Sequence, residues 1–238
     1  MFSPFLRKPF EKAKDSGLID SDLQTISGTW GAIHDTGELT YLNLVHLNGI
    51  DGTDPESLTK GEIEGRKAAL EAIAALKEYM PGCSAGKLRN FGMTIGIRDT
   101  YKIDSVYNLS DEDVKNECRF EDSVGIYPEF IDGFGVLVLP TTGRYMHIPY
   151  RSLLPKNIKG LLVVGRAIGG SNIAHAATRN MACCTVTGQG AGVAAAETIK
   201  NKTSLNSVNI SNVQKLLRKQ NVRAVSYTHL RAHETKSY

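Results

Sequence analysis

The feature that most constrains this chain is a glycine-rich stretch over residues 160–196, which reads GLLVVGRAIGGSNIAHAATRNMACCTVTGQGAGVAAA. The pattern predicts a short apolar strand at Leu161–Gly165, a glycine-rich loop, and a long helix of small residues over Met181–Lys200. A strand, a glycine turn and a helix N-terminus in this order can present backbone N–H groups to an electron-rich ligand. Small side chains also let a helix pack closely on a sheet or on a flat cofactor. Spacing alone leaves open whether the glycines serve a cofactor or only this packing.

Composition excludes several classes of protein. The chain has 238 residues, of which 41% are hydrophobic, so it can bury a sizeable core. Its net charge of +3 is modest and its charges are interspersed, which argues against a nucleic-acid partner. No apolar run reaches the ~20 residues that cross a bilayer, and the start does not resemble a signal peptide. We therefore expect a cytoplasmic protein with no nucleic-acid or membrane partner.

The rest of the sequence predicts helices separated by short strands. Four helices are expected. The first covers residues 5–16, and the second starts at Asp54–Pro55 and stops at Pro81–Gly82. The third is a single turn capped by Ser110 and Asp113, and the fourth covers Asn212–Gln220. Strands are expected at Thr29–His34 and Leu39–Leu47, joined as a hairpin by a turn at Asp35–Gly37, and at Asn90–Ile97, Gly133–Leu139 and Tyr145–Ile148.

Four arginines lie beside predicted strand ends or the glycine-rich loop: Arg98, Arg151, Arg166 and Arg179. A guanidinium group binds carboxylate or phosphate through two parallel hydrogen bonds, so arginines that share a site would bind an anion. For any single arginine, an ordinary ion pair is the simpler interpretation. For two of the four in one site, a functional role is favoured.

Other side chains in the glycine-rich stretch have chemistry of their own. His175 is a candidate general acid or base, with a structural hydrogen-bonding role as the alternative. Cys183 and Cys184 lie at a predicted helix start, where a thiolate is stabilised, but their apolar neighbours favour small apolar filling, with a reactive thiol as the alternative. With Cys83 and Cys118 they show no CxxC pair and no disulfide-framework spacing. The spacing does not support an iron–sulfur cluster, and no metal site is predicted.

Four segments follow one another in a recognisable order. They read DGTDPESLTKGEIEGR, TIGIRDTYKI, HIPYRSLLP and the glycine-rich stretch itself. In this order they resemble the C-terminal portion of FAD-dependent oxidoreductases related to the flavin subunit of heterodisulfide reductase. The resemblance covers residues 50–196.

The resemblance implies a set of flavin-lining residues along the ribityl chain and the isoalloxazine ring. Carried over to this sequence, they are Gly165, Arg166, Ala167, Ser171, Arg179, Met181, Gly188 and Gly190. Arg98 and Arg151 are expected on the substrate side, where they and His175 orient or polarise an anionic small molecule. The family has a second arginine three residues after Arg98, and this sequence has Tyr101 there, so the substrate class stays open.

One family feature does not occur in this sequence. Such enzymes begin with a βαβ unit whose GxGxxG fingerprint binds the pyrophosphate, and no GxGxxG is present. GQGAG at residues 188–192 follows a helix start rather than a strand. We therefore expect a fragment that lacks the N-terminal FAD-binding half, with weak or absent FAD binding and no activity of its own.

The expected fold is α/β: an incomplete FAD/NAD(P)-binding Rossmann-type fold with an α+β substrate-side part. The predicted divisions are a substrate-side region over 1–158, the strand–loop–helix of the FAD domain over 159–200, a helical segment over 201–224 and a non-native disordered tail over 225–238.

The leading functional hypothesis is hydride transfer between an unknown, anionic substrate and flavin, carried out within a longer parent protein. Two alternatives stay open. One is a non-catalytic half of a split flavoprotein that binds its partner, and the other is a thiol-dependent enzyme that uses Cys183 or Cys184.

Overall fold

The chain consists of two compact units. The computed structural model describes residues 4–23, 25–29, 32–33, 35–36, 39–40, 43–133, 136–141 and 143–224. The units are Met1–Thr100 and Tyr101–Tyr238. The predicted division at 158/159 separates substrate-side from cofactor-side segments; it falls within the second unit and stays a prediction. The predicted tail over 225–238 lies outside the described residues.

The first unit combines two helices with short antiparallel strands. The helices are α1 (Pro4–Asp15) and α2 (Pro55–Tyr79), and the strands are β1 (Ile26–Thr29), β2 (Ala32–Ile33), β3 (Leu39–Thr40) and β4 (Asn43–Val45). Strand β1 pairs with β4 and β2 pairs with β3, which confirms the hairpin where it is described. Gly37 of the predicted turn lies outside the described residues.

Helix α2 is determined by local sequence signals. The Asp54 carboxylate accepts hydrogen bonds at 3.1 and 3.2 Å from backbone N–H groups of the first turn, as an N-cap residue does. The inner face of α2 carries alanines at helical spacing: Ala68, Ala72 and Ala75, all buried. Their small side chains leave room for α1, which inserts the fully buried Phe10 into this core.

The second unit contains four helices and two antiparallel strand pairs in its described residues. The elements are α3 (Asp111–Lys115), β5 (Ser123–Pro128), β6 (Ile131–Gly133), β7 (Val136–Val138), β8 (Tyr145–Pro149), α4 (Asn172–Thr178), α5 (Met181–Lys200) and α6 (Ile210–Lys219). Strand β5 pairs with β8 and β6 with β7. The predicted helix Met181–Lys200, the strand near Tyr145 and the Ser110–Asp113 capping box are confirmed.

Among the described residues of both units, no helix is long and apolar enough to span a membrane.

Glycines allow α5 to lie directly on β5. A Cβ atom at Gly190 would come within 2.6 Å of the Val124 Cβ, which is closer than real Cβ atoms approach. A Cβ at Gly125 would collide with the Val186 side chain in the same interface. Packing of a small-residue helix on a sheet therefore accounts for the glycine at position 190.

Two of the predicted strands are wrong. Leu161–Gly165 forms no strand, although Val164 has extended backbone and the Val163 N–H donates to the Leu153 carbonyl at 2.9 Å. A strand needs a neighbour, and no strand of the described residues runs alongside; Leu161 and Val164 stay 42% and 39% exposed. Asn90–Ile97 is also irregular, because the Glu62 carboxylate of α2 accepts a hydrogen bond from the Ile95 N–H.

At the level of fold class, the described residues combine helices with four small antiparallel sheets, which is consistent with an α/β fold. Each of these sheets has two strands, so the Rossmann-type detail of the prediction stays a prediction.

The α5–β5 contact predicts opposite effects at two glycines of one helix. Gly190→Ala should destabilise the chain by ~1–3 kcal/mol, because the β-branched Val124 side chain cannot swing away. Gly192→Ala should raise helix stability by up to ~1 kcal/mol, since a Cβ at 192 meets nothing within 4 Å. Urea unfolding of both variants tests this, and equal stabilities would contradict the packing described here.

Candidate functional site

A tight turn at Gly165–Ala167 rests against the second turn of α5. Gly165 has φ +72°, a left-handed conformation that favours glycine. Its N–H donates to the Thr187 hydroxyl at 3.0 Å, and that hydroxyl in turn donates to the Cys184 carbonyl at 2.9 Å. These two bonds fix the turn against the helix backbone.

Beside this turn, α5 has an open face. No heavy atom lies within 4 Å of where a Cβ at Gly188 would be, and Gly188 is one helical turn on from Cys184. Gly192, a further turn along the same side, is equally open, whereas Gly190 points at β5. We use the term glycine corner for the Gly165–Ala167 turn together with the open α5 face at Gly188.

The positive charge at the glycine corner comes from a side chain rather than from the helix dipole. Gly188 is the eighth residue of α5, ~10 Å from the first, and the dipole acts mainly on the first turn. The expected dipole effect at Gly188 is therefore weak. Arg166 is exposed in the turn, and its charge acts on the Cys184 thiol.

The loop after the turn is held by the segment before α3. Leu109 donates its N–H to the Gly169 carbonyl at 3.1 Å and accepts from the Ser171 N–H at 2.8 Å. The Ser171 hydroxyl accepts from the Ala174 N–H at 3.2 Å and so caps α4. An open depression of about 520 Å³ adjoins this contact, lined by Lys102, Ile103, Asp104, Asn108, Leu109, Ser110, Gly170 and Ser171. Ser171 thus combines a capping role with a place on this depression.

Arg151 is fixed by an acid and an aromatic ring. Its Nε and Nη2 atoms donate to the two Asp122 carboxylate oxygens at 2.9 and 3.3 Å. Its guanidinium carbon lies 4.9 Å from the centre of the Tyr107 ring. The Tyr107 hydroxyl donates to the buried Asp113 carboxylate, and burial together with this bond raises the pKa of Tyr107 to about 12. The arginine is therefore held in one orientation, with its charge partly balanced by Asp122.

The remaining predicted site residues lie in four different surroundings. Arg179 donates from Nη2 to the Asp132 carboxylate at 2.8 Å and also to the Asp132 carbonyl. His175 is buried within α4, and Met181 is 87% exposed at the start of α5. Arg98 is exposed in the first unit, whereas every other predicted site residue belongs to the second. Gly165, Arg166 and Ala167 form the turn, which lies against α5 at Cys184 and Thr187, next to Gly188 along the helix.

Sequence reasoning missed the residues that hold these groups in place. Thr187 fixes the turn from 22 positions away, and Asp122 binds Arg151 from 29 positions away. Tyr107 stacks on the same arginine. A hydroxyl or a carboxylate at such separations gives no local pattern, so only the fold brings these partners together.

Burial dominates the surroundings of the two thiols at the start of α5. Cys183 is fully buried and Cys184 half-buried, and burial raises the pKa of both, although Arg166 acts in the opposite direction on Cys184. Burial therefore favours small apolar filling at these two positions over an activated thiolate. Among the residues described, no three His, Cys, Asp or Glu side chains are arranged to hold a metal ion.

Comparison with known proteins gives one match. A family model described as FAD dependent oxidoreductase matches residues 7–217, which is most of the chain and includes the glycine corner. No curated protein and no solved structure matches this chain.

The raised thiol pKa values predict slow alkylation of the native chain. At pH 7 the thiolate fraction falls as the pKa rises, and burial also blocks access. Cys183 and Cys184 should react with iodoacetamide at least tenfold more slowly in the folded chain than in urea, as followed by mass spectrometry. Labelling of either residue at the unfolded rate would contradict this arrangement and favour a thiol-dependent reaction.

Proposed function

Because the chain belongs to the FAD dependent oxidoreductase family, we propose that the glycine corner forms one wall of its FAD site. The open space at Gly188 carries this proposal. A side chain at 188 would fill that space, and the glycine leaves it to a flat ring that can approach the helix backbone. The Gly165–Ala167 turn lies against the same helix at Cys184 and Thr187, which supports placing the flavin ring beside it.

The residues of the corner have separate tasks in this proposal. FAD, when bound, supplies the hydride-accepting chemistry, and the protein supplies orientation and charge. Thr187 keeps the turn in place, and Gly188 permits close approach of the ring. Arg166 contributes the positive charge that favours electron-rich atoms beside it. Gly190 supports the wall from behind by bringing α5 onto β5.

The other flavin contacts rest on the resemblance described above. We propose that Ala167, Ser171, Arg179 and Met181 extend the wall along the cofactor. Arg179 is held by Asp132 and Ser171 by its cap, so both are fixed in position before any ligand arrives.

On the substrate side, we propose that Arg151 orients an anionic small molecule and that His175 polarises it. Arg98 belongs to the first unit, and its place on the substrate side stays what the resemblance implies. The reaction is hydride transfer between this molecule and the flavin. Support comes from Arg151, whose side chain is 46% exposed and yet held in one orientation by Asp122 and Tyr107. A fixed and accessible guanidinium is suited to binding a carboxylate.

A further part of the proposal concerns the nucleotide portion of FAD. The sequence holds no GxGxxG, and Leu161 and Val164, which lie outside any strand, are exposed and leave room for an additional strand at this segment. We propose that a segment outside this sequence, in the same polypeptide or in a partner, pairs there and binds the pyrophosphate. The chain by itself then binds FAD weakly and is inactive.

A methyl group at the corner tests the proposed wall. Gly188→Ala should weaken FAD binding at least tenfold, because the added Cβ occupies the space that the ring needs. Flavin fluorescence, titrated with the chain up to millimolar concentration, measures this affinity.

Gly192→Ala is the matched control, since it adds the same methyl to the same open side one turn farther from Gly165. It should change FAD affinity by less than twofold. Both variants replace a helical glycine by alanine, so neither should lower stability. Equal FAD affinities for the parent and Gly188→Ala would contradict the placement of the flavin.

A further inference from the structure

The last part of the second unit has an unbalanced charge. Residues 198–224 contain no acidic residue and six basic ones: Lys200, Lys202, Lys215, Arg218, Lys219 and Arg223. All are exposed except Arg218, which is half-buried. None forms an ion pair with another described residue, in contrast to Arg144, Arg151 and Arg179. We call the three of them that lie on α6, namely Lys215, Arg218 and Lys219, the basic face.

The fold turns the basic face toward solvent. Lys215, Arg218 and Lys219 are spaced i, i+3 and i+4 on one side of α6. The other side of α6 is buried, and there Gln214 donates to the backbone carbonyls of Glu121 and Ser123 at 2.7 and 3.0 Å.

The basic face lies beside the helix that forms the glycine corner. Gln189 donates to Gln220 at 2.9 Å, and Asn212 donates to the buried Glu197 at 3.3 Å. These two bonds show that α5 and α6 are antiparallel, with the end of α6 next to Gln189. Gln189 directly follows Gly188, so the C-terminal end of α6 lies beside the part of α5 that carries the corner glycine.

We propose that the basic face docks an acidic electron-carrier protein. This inference rests on the proposed function, because a hydride taken from a substrate brings two electrons and one proton that must leave before the next turnover. Two molecules of a one-electron carrier accept the two electrons in succession and are each reduced by one electron, while the proton passes to water.

The chemistry of the face favours a protein over other polyanions. Residues 198–224 contain no aromatic side chain, so they lack the stacking platform that single-stranded nucleic acids use. The apolar side of α6 is buried in the core, so the helix cannot insert into a membrane surface. Lysine and arginine without an apolar centre suit a small, transient interface that is steered by charge.

Charge reversal on α6 tests the docking. The variant carries Lys215→Glu, Arg218→Glu and Lys219→Glu; the matched control carries Lys77→Glu, Lys87→Glu and Lys159→Glu, which are exposed lysines elsewhere. The probe is an acidic [2Fe–2S] ferredoxin, whose binding to the full chain at low ionic strength is measured by calorimetry. The α6 variant should bind it at least tenfold more weakly than the parent, and the control should stay within threefold.

A neutral version guards against loss of the helix, because glutamates in the last turn oppose the helix dipole. Lys215→Gln, Arg218→Gln and Lys219→Gln should still weaken binding at least threefold while circular dichroism stays unchanged. Equal losses in the α6 and control variants, or no ferredoxin binding by the parent, would overturn the proposal. Tighter binding of a 20-base-pair DNA duplex or of phosphatidylserine vesicles through the same residues would also overturn it.

FAD affinity, measured in the same samples, separates this inference from the proposed function. The α6 variants should bind FAD like the parent chain. Ferredoxin binding through α6, together with FAD affinities that are equal for the parent chain and Gly188→Ala, would support the docking surface and contradict the proposed flavin site.

Discussion

The architecture of the second unit depends on the close approach of α5 to β5. Gly190 faces Val124 and Gly125 faces Val186, so each element supplies a glycine where the other supplies a β-branched side chain. This exchange lets the helix lie directly on the strand. With that side of α5 fixed, its opposite side, which carries Gly188 and Gly192, is left open. The glycines of α5 therefore differ in what they do: Gly190 lets the helix contact β5, whereas Gly188 and Gly192 leave the opposite side of the helix open.

Hydrogen bonds to α5 hold the elements next to the glycine corner in place. Thr187 ties the Gly165 turn to α5, and Gln189 ties α6 to the same helix. The open face belongs to α5, and the turn and α6, which carries the basic face, are each hydrogen-bonded to α5. A redox enzyme that holds its cofactor near the point where electrons leave would use such a common support. Arg151 is held independently, by Asp122 and the Tyr107 ring.

The sequence predicts well those features, such as helix caps and helix bounds, that depend on residues close to one another in the chain. The Asp54 cap, the Ser110–Asp113 capping box and the full extent of α5 are all set by residues within a few positions. The strand expected at Leu161–Gly165 fails because a strand is defined by its partner, which local pattern does not contain. The site is predicted least completely. Its glycines are visible in the sequence, whereas Thr187 and Asp122 act across more than 20 positions and the open or packed direction of each glycine depends on β5.

The central claim, that the glycine corner receives the flavin ring, is tested most directly by nuclear magnetic resonance of the chain labelled with ¹⁵N-glycine. FAD is added and the amide signals of individual glycines are followed. The account predicts that Gly165 and Gly188 shift strongly and together, with the same binding curve, while Gly82 in the first unit and Gly143 do not move. Shifts confined to other glycines, with Gly165 and Gly188 unchanged at saturating FAD, would contradict it.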